Sequence, residues 1–222
     1  MKLTTIYDNV VYPEASATGL TSEWGFSCLI EVYGKRILFD TGGDGSILLR
    51  NMERLGINPE DLATIVLSHE HWDHTGGLSD LLRTNRDVEV YLLTSFSESF
   101  KNKIKNPVIE VREPVKICDR VHTTGELGTS IKEQSLVLET KIGMIVITGC
   151  AHPGIGEIMN AASGFGEICG IIGGFHGFSD YRLLNGVKFL SPCHCTQHLS
   201  EIVSRFPDAY HKNGVGRVFT FE

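Results

Sequence analysis

Residues 68–77 read Ser68-His69-Glu70-His71-Trp72-Asp73-His74-Thr75-Gly76-Gly77, which puts three histidines and an aspartate within six positions as His-x-His-x-Asp-His. The apolar, β-branched run Ala63-Thr64-Ile65-Val66-Leu67 before it reads as a buried strand, and Leu78-Ser79-Asp80-Leu81-Leu82 after it reads as a helix start. The cluster therefore occupies a strand-to-helix loop, where a rigid strand end holds imidazoles in place and alternate residues converge. Neutral imidazole and carboxylate form the ligand set expected for zinc, iron or manganese. A single histidine near a strand end is usually an ordinary core or surface residue, but this density and spacing point to metal. A closed structural zinc site draws mostly on paired cysteines, and the cluster contains none.

Working outward, period-two and continuous apolar runs predict strands near Leu3–Tyr7, Cys28–Tyr33, Arg36–Phe39, Val88–Leu93, Val108–Val111, Leu136–Thr140, Met144–Thr148 and Ile168–Ile172. Further strands are expected near Val187–Leu190 and Val215–Phe221. A helix over Gly45–Leu55 buries Ile47, Leu48, Met52 and Leu55 on one face and stops at Gly56. Two more are expected over Gly154–Ala162 and Thr196–Phe206. Strands and helices mixed without strict alternation suit two sheets packed face to face with helices outside.

At 222 residues the chain is long enough for a substantial core, and it carries no repeat or linker. Twenty Lys and Arg against 27 Asp and Glu give a formal charge of −7, which argues against a nucleic-acid footprint. Lys101, Lys103, Lys105 and Lys116 could form a local basic patch, although a solvated face is the plainer reading. There is no long apolar run and no signal-peptide core after Met1, so a cytoplasmic protein with no membrane partner is expected. In that compartment the six cysteines are expected to stay reduced. Cys28, Cys118 and Cys169 read as small core residues. Cys150, Cys193 and Cys195, close to His152 or His194, read either as packing residues or as soft ligands.

Four segments together resemble the metallo-β-lactamase superfamily. Besides the His-x-His-x-Asp-His loop, they are Arg36-Ile37-Leu38-Phe39-Asp40-Thr41-Gly42-Gly43, Thr148-Gly149-Cys150-Ala151-His152-Pro153-Gly154-Ile155, and the pair Gly173-Gly174-Phe175-His176 and Pro192-Cys193-His194-Cys195-Thr196. The later ones resemble the subgroup of dihydropterin synthase-like proteins from methanopterin biosynthesis. The match runs from about Trp24 to Thr196, nearly the whole chain. It implies an α+β fold, the four-layer αββα metallo-β-lactamase sandwich, as one domain over residues 1–222. It also implies one or two divalent transition-metal ions, zinc first, with iron or manganese as alternatives. Carried over residue by residue, His69, His71 and His152 form one site, and Asp73, His74 and His194 the other.

Most two-metal members of the superfamily have an acid bridging the ions, and here Cys150 or His176 occupies the corresponding positions. The resemblance therefore predicts unequal sites, with the His69, His71, His152 set the tighter. His176 is a further ligand or a substrate-facing acid or base, and Asp73 is a ligand that also orients the nucleophile. Asp40 is expected to orient a ligand by hydrogen bonding or to fix its turn. His122, His198 and His211 have no partner motif and read as ordinary residues.

A metal ion lowers the pKa of its bound water toward about 7 and polarises a substrate oxygen. The expected activity is a metal-dependent hydrolase that directs a metal-bound hydroxide at a small, anionic, phosphorylated or ester-type metabolite. A transferase joining a pterin pyrophosphate to a ribosylaminobenzene phosphate is the alternative implied by the subgroup. A non-catalytic metal or redox sensor is the third reading. The turns Thr41-Gly42-Gly43, Thr75-Gly76-Gly77 and Gly173-Gly174 are either anion-binding nests or plain turns.

Overall fold

The computed structural model describes residues 1–221. They divide into two compact units, Met1–Val111 with Gly214–Thr220, and Arg112–Asn213 with Phe221.

In the first unit, β1 (Lys2–Tyr7), β2 (Ser27–Val32), β3 (Lys35–Phe39), β4 (Thr64–Val66), β5 (Glu89–Leu93) and β6 (Val108–Val111) lie side by side in chain order, with the C-terminal strand Val218–Thr220 outside β1. From that outer strand to β3 the pairing is antiparallel, and from β3 to β6 it is parallel. Tyr33 and Gly34 close the β2–β3 hairpin with φ of 47° and 76°, the left-handed pair that a tight two-residue turn requires. Parallel neighbours need crossovers, and helices supply them: α1 (Gly45–Arg54) after β3, α2 (Trp72–Thr75) and α3 (Leu78–Thr84) after β4, and α4 (Glu98–Lys101) after β5. The Asp44 carboxylate caps α1 by accepting from the Ser46 and Ile47 amides at 2.8 and 3.1 Å. Asn51 then pins the buried face of α1, its amide nitrogen donating to the Ile6 and Thr21 carbonyls at 2.9 and 2.8 Å. The core-strand residues Ile37, Leu38, Phe39, Ile65 and Val66 are all buried, as continuous apolar runs in parallel strands predict.

The second unit holds β7 (Val115–Cys118), β8 (Val121–Thr123), β9 (Leu136–Thr140), β10 (Gly143–Thr148), β11 (Ile168–Gly174) and β12 (Phe189–Cys193), with α5 (Ile155–Ala162) and α6 (Leu199–Arg205). These strands also lie in chain order, antiparallel from β7 to β10 and parallel from β10 to β12. Its core joins Val137, Val146, Ile171 and Leu190 of the sheet to Ile155, Ile158 and Ala162 of α5 and Ile202 of α6. Each unit thus runs an antiparallel meander into parallel strands, and all the candidate ligand loops follow carboxyl ends of parallel strands, where open α/β sheets place their sites.

Most predicted elements are observed to within a residue or two. The departures have physical causes. The short strands β7 and β8 were not expected, because Val115-Lys116-Ile117-Cys118 and Val121-His122-Thr123, at 4 and 3 residues, are too short to show a period. Pro192 argues against a strand, yet β12 runs through it to Cys193; β12 is the edge of its sheet, where a missing N–H is tolerated. Helix α6 starts at Leu199 rather than Thr196, because the Thr196 hydroxyl donates to the Cys193 carbonyl at 2.7 Å and accepts from the Phe175 amide at 3.1 Å, which holds the preceding loop non-helical. Cys118 is half-exposed and not a core residue, a correction to the packing expected of it. Cys28 and Cys169 are buried, as small core residues would be. Burial, and then the charge of Asp40, pushes the Cys28 thiol well above its usual range, so it behaves as a small apolar side chain. Among the described residues no helix is long and apolar enough to cross a membrane.

Candidate metal centre

The loop after β4 carries His69, His71, Asp73 and His74. His69 and His74 are fully buried, Asp73 nearly so, and His71 half-buried. The loop is tied to its surroundings through its backbone: the Thr41 amide donates to the His74 carbonyl at 2.7 Å, and the Phe26 amide to the Asp73 carbonyl at 3.2 Å. His69 Nε2 and His71 Nδ1 face each other at 3.1 Å. Zinc–nitrogen bonds of about 2.0–2.1 Å in a tetrahedron place neighbouring donors roughly 3.3 Å apart, so this pair fits one ion. His74 Nε2 lies 3.8 Å from Asp73 Oδ2, a second pair of metal-ligand type.

Asp40 sets the tautomers of this loop. It is fully buried, at the end of β3, and holds a left-handed φ of 59°, a conformation uncommon for a non-glycine residue that its side-chain bonds help to hold. Oδ1 accepts from the Ser68 amide at 2.7 Å, while Oδ2 accepts from the Ser68 hydroxyl and from His74 Nδ1, both at 2.7 Å. Because the one Ser68 proton goes to Asp40, the Ser68 oxygen accepts from His69 Nδ1 at 2.9 Å. Both imidazoles therefore carry their proton on Nδ1 and turn an unprotonated Nε2 outward as a ligand atom. Asn at position 40 would present N–H to these donors and reverse the arrangement. Asp40→Asn should weaken zinc binding about 10- to 100-fold in chelator competition, and an unchanged affinity would show that His74 needs no such partner.

In the second unit His152, His176 and His194 follow the ends of β10, β11 and β12. Ala151, His176 and His194 all have left-handed φ, at 59°, 45° and 51°, so three successive strand ends turn sharply. At the end of β11, Gly173 with φ of 119° lies so close to the Thr148 carbonyl that no Cβ fits there. The His152 and His176 rings lie 5.0 Å apart, with His176 exposed. A ligand-type atom of Cys150 comes within 4.8 Å of one on His194, and Cys150 is buried.

The His152 loop is held by a residue that sequence reasoning did not single out. Glu133 is fully buried, and its Oε1 accepts from the amides of Gly149, Cys150 and Ala151 at 3.0, 3.0 and 2.9 Å, while Oε2 accepts from the His152 amide at 2.9 Å.

The remaining candidates fall elsewhere. His122 pairs with Glu139 at 2.6 Å, His198 approaches Glu201 at 3.7 Å, and His211 stacks on Phe189 at 4.2 Å, so each has an ordinary partner. Lys101 is held by Glu98 and Glu110, and Lys116 by Asp119, which removes half of the imagined basic patch. The amides of Gly42, Gly76, Gly77 and Gly174 donate to protein carbonyls, so these glycine turns are packing turns and not open anion nests.

The family model described as the metallo-beta-lactamase superfamily matches residues 25–168. The chain is 28% identical, over 90% of itself and 90% of the relative, to the 7,8-dihydropterin-6-methyl-4-(beta-D-ribofuranosyl)-aminobenzene-5'-phosphate synthase of Methanocaldococcus jannaschii. A solved metal-dependent hydrolase of the β-lactamase superfamily superposes with a TM-score of 0.80 at 26% identity, covering 100% of this chain and 99% of that one. The Bacillus subtilis metallo-β-lactamase fold protein YhfI gives 0.70 at 18% identity over 98% of each chain, a likeness of fold alone. The αββα sandwich expected from the sequence is borne out by these likenesses.

Proposed function

Because the chain belongs to the metallo-β-lactamase superfamily, we propose that it is a metal-dependent hydrolase of a small, anionic, phosphorylated or ester-type metabolite. His69, His71, Asp73, His74, His152 and His194 are its proposed ligands for one or two divalent transition-metal ions, with zinc the first choice. The observation that carries this reading is the ligand loop after β4, where Asp40 and Ser68 fix two imidazoles with Nε2 outward and two donor nitrogens lie 3.1 Å apart. The bound metal supplies Lewis acidity and an acidified water. The chain supplies the rest. Asp73 is steadied by the Trp24 indole, whose Nε1 donates to its Oδ2 at 2.9 Å, and its proposed role is that of a ligand that also orients the nucleophile. His176, exposed beside the His152 ring, is the proposed substrate-facing acid or base.

A second reading is favoured by the 28% identity to the synthase over 90% of both chains. In a transferase the same ligands would steady a departing pyrophosphate. The two readings separate in one experiment, with turnover in ¹⁸O-labelled water and pyrophosphate release followed on the same sample. Hydrolysis puts label into the product and is abolished by a chelator. Pyrophosphate release that depends on a second organic substrate, with no label in the organic product, would replace the hydrolase reading with the transferase one.

A further inference from the structure

The chain has two tryptophans, Trp24 and Trp72, and both border the ligand loop. Neither is in the core: Trp24 is 46% exposed and Trp72 63%. Large aromatic rings lose favourable burial when left in water, so two exposed indoles beside a functional loop need a reason. Trp72 lies between His71 and Asp73, at the start of α2, and the Trp24 indole is fixed by its hydrogen bond to Asp73. Gly43 joins the pair. A Cβ there would come within 2.6 Å of Trp72 Cζ3 and 2.9 Å of the Trp24 carbonyl oxygen, so the absence of a side chain at position 43 lets the Trp72 ring lie where it does.

We propose that Trp24 and Trp72 are specificity-determining residues that take a fused, flat heteroaromatic ring of the substrate by stacking. This deepens the functional reading above and rests on the loop being the reaction centre. A rigid indole offers a π-face that binds any flat heterocycle and discriminates against saturated rings and chains. The Trp24–Asp73 bond gives the platform a defined position relative to a proposed ligand, so the ring it holds and the group to be attacked keep a fixed spacing.

Because no other tryptophan contributes, intrinsic fluorescence of the metal-loaded protein reports this edge directly. The probes are guanosine 5′-monophosphate and neopterin, with ribose 5-phosphate as the control that keeps sugar and phosphate but lacks the ring. Saturable quenching by either ring-bearing probe and none by ribose 5-phosphate is the expected result. Trp72→Ala should weaken that binding about tenfold, which is about 1.4 kcal/mol; Trp72→Phe should recover most of it; and Gly43→Ala, which displaces the ring without removing it, should weaken it too. Metal content, measured on the same samples, is expected to stay constant across these variants. Absence of quenching by both probes in metal-loaded protein, or undiminished binding in both Trp72→Ala and Gly43→Ala, would overturn the proposal. Quenching by a protein that takes up no transition metal even when metal is supplied would support stacking while removing the hydrolase reading.

Discussion

Alanine at both His69 and His71 is expected to strip the purified protein of most of its transition metal. Four-ligand zinc sites in small proteins bind with about 10–16 kcal/mol, so each ligand is worth roughly 3 kcal/mol, or about a hundredfold in affinity. Losing two donors that lie 3.1 Å apart should therefore cost on the order of ten-thousandfold, enough to empty the protein during purification. Elemental analysis of metal per chain, with thermal melting to show that the variant is folded, makes the measurement. His122→Ala is the control, because its imidazole is engaged by Glu139 and should leave metal content unchanged. Equal metal in the double variant and the parent would end the metal-centre reading of this loop.

How much of this could be read in the sequence depends on how far apart the cooperating groups lie. His69, His71, Asp73 and His74 were legible because ligand chemistry is concentrated in one local segment after an apolar strand. The long strands and α1 were legible for a similar reason, since each carries its own periodicity and stop signal. His152, His176 and His194 stand alone in their segments, and only the family's motifs drew attention to them. Asp40 could be suspected from its place at a strand end, but its bonds to Ser68 and His74 bridge 28 and 34 positions. Glu133 left no trace at all. It lies in the polar run Ile131-Lys132-Glu133-Gln134-Ser135, which reads as a surface loop, and its partners are backbone amides 16 to 19 residues away, which have no residue-type signature.

That unread residue carries the second large effect. Glu133→Ala should lower the melting temperature by about 10 °C or more, or prevent folding. Four amides lose their acceptor together, and each buried donor left unpaired costs about 1–3 kcal/mol. Even the lower end sums to about 4 kcal/mol, a large part of the 5–15 kcal/mol that holds a typical domain together, and in a chain of this size about 1 kcal/mol shifts the midpoint by about 2–4 °C. Glu133→Gln separates stability from positioning. Its carbonyl oxygen can keep the Gly149, Cys150 and Ala151 amides, but its NH₂ then faces the His152 amide, donor against donor. That variant should stay folded, lose protection of the His152 amide in hydrogen exchange, and bind zinc about 10- to 100-fold more weakly in chelator competition. Zinc affinity matching the parent in a folded Glu133→Gln protein would mean that the carboxylate builds the loop without placing His152. A Glu133→Ala midpoint within about 2 °C of the parent would mean that the four hydrogen bonds are replaced by water at little cost.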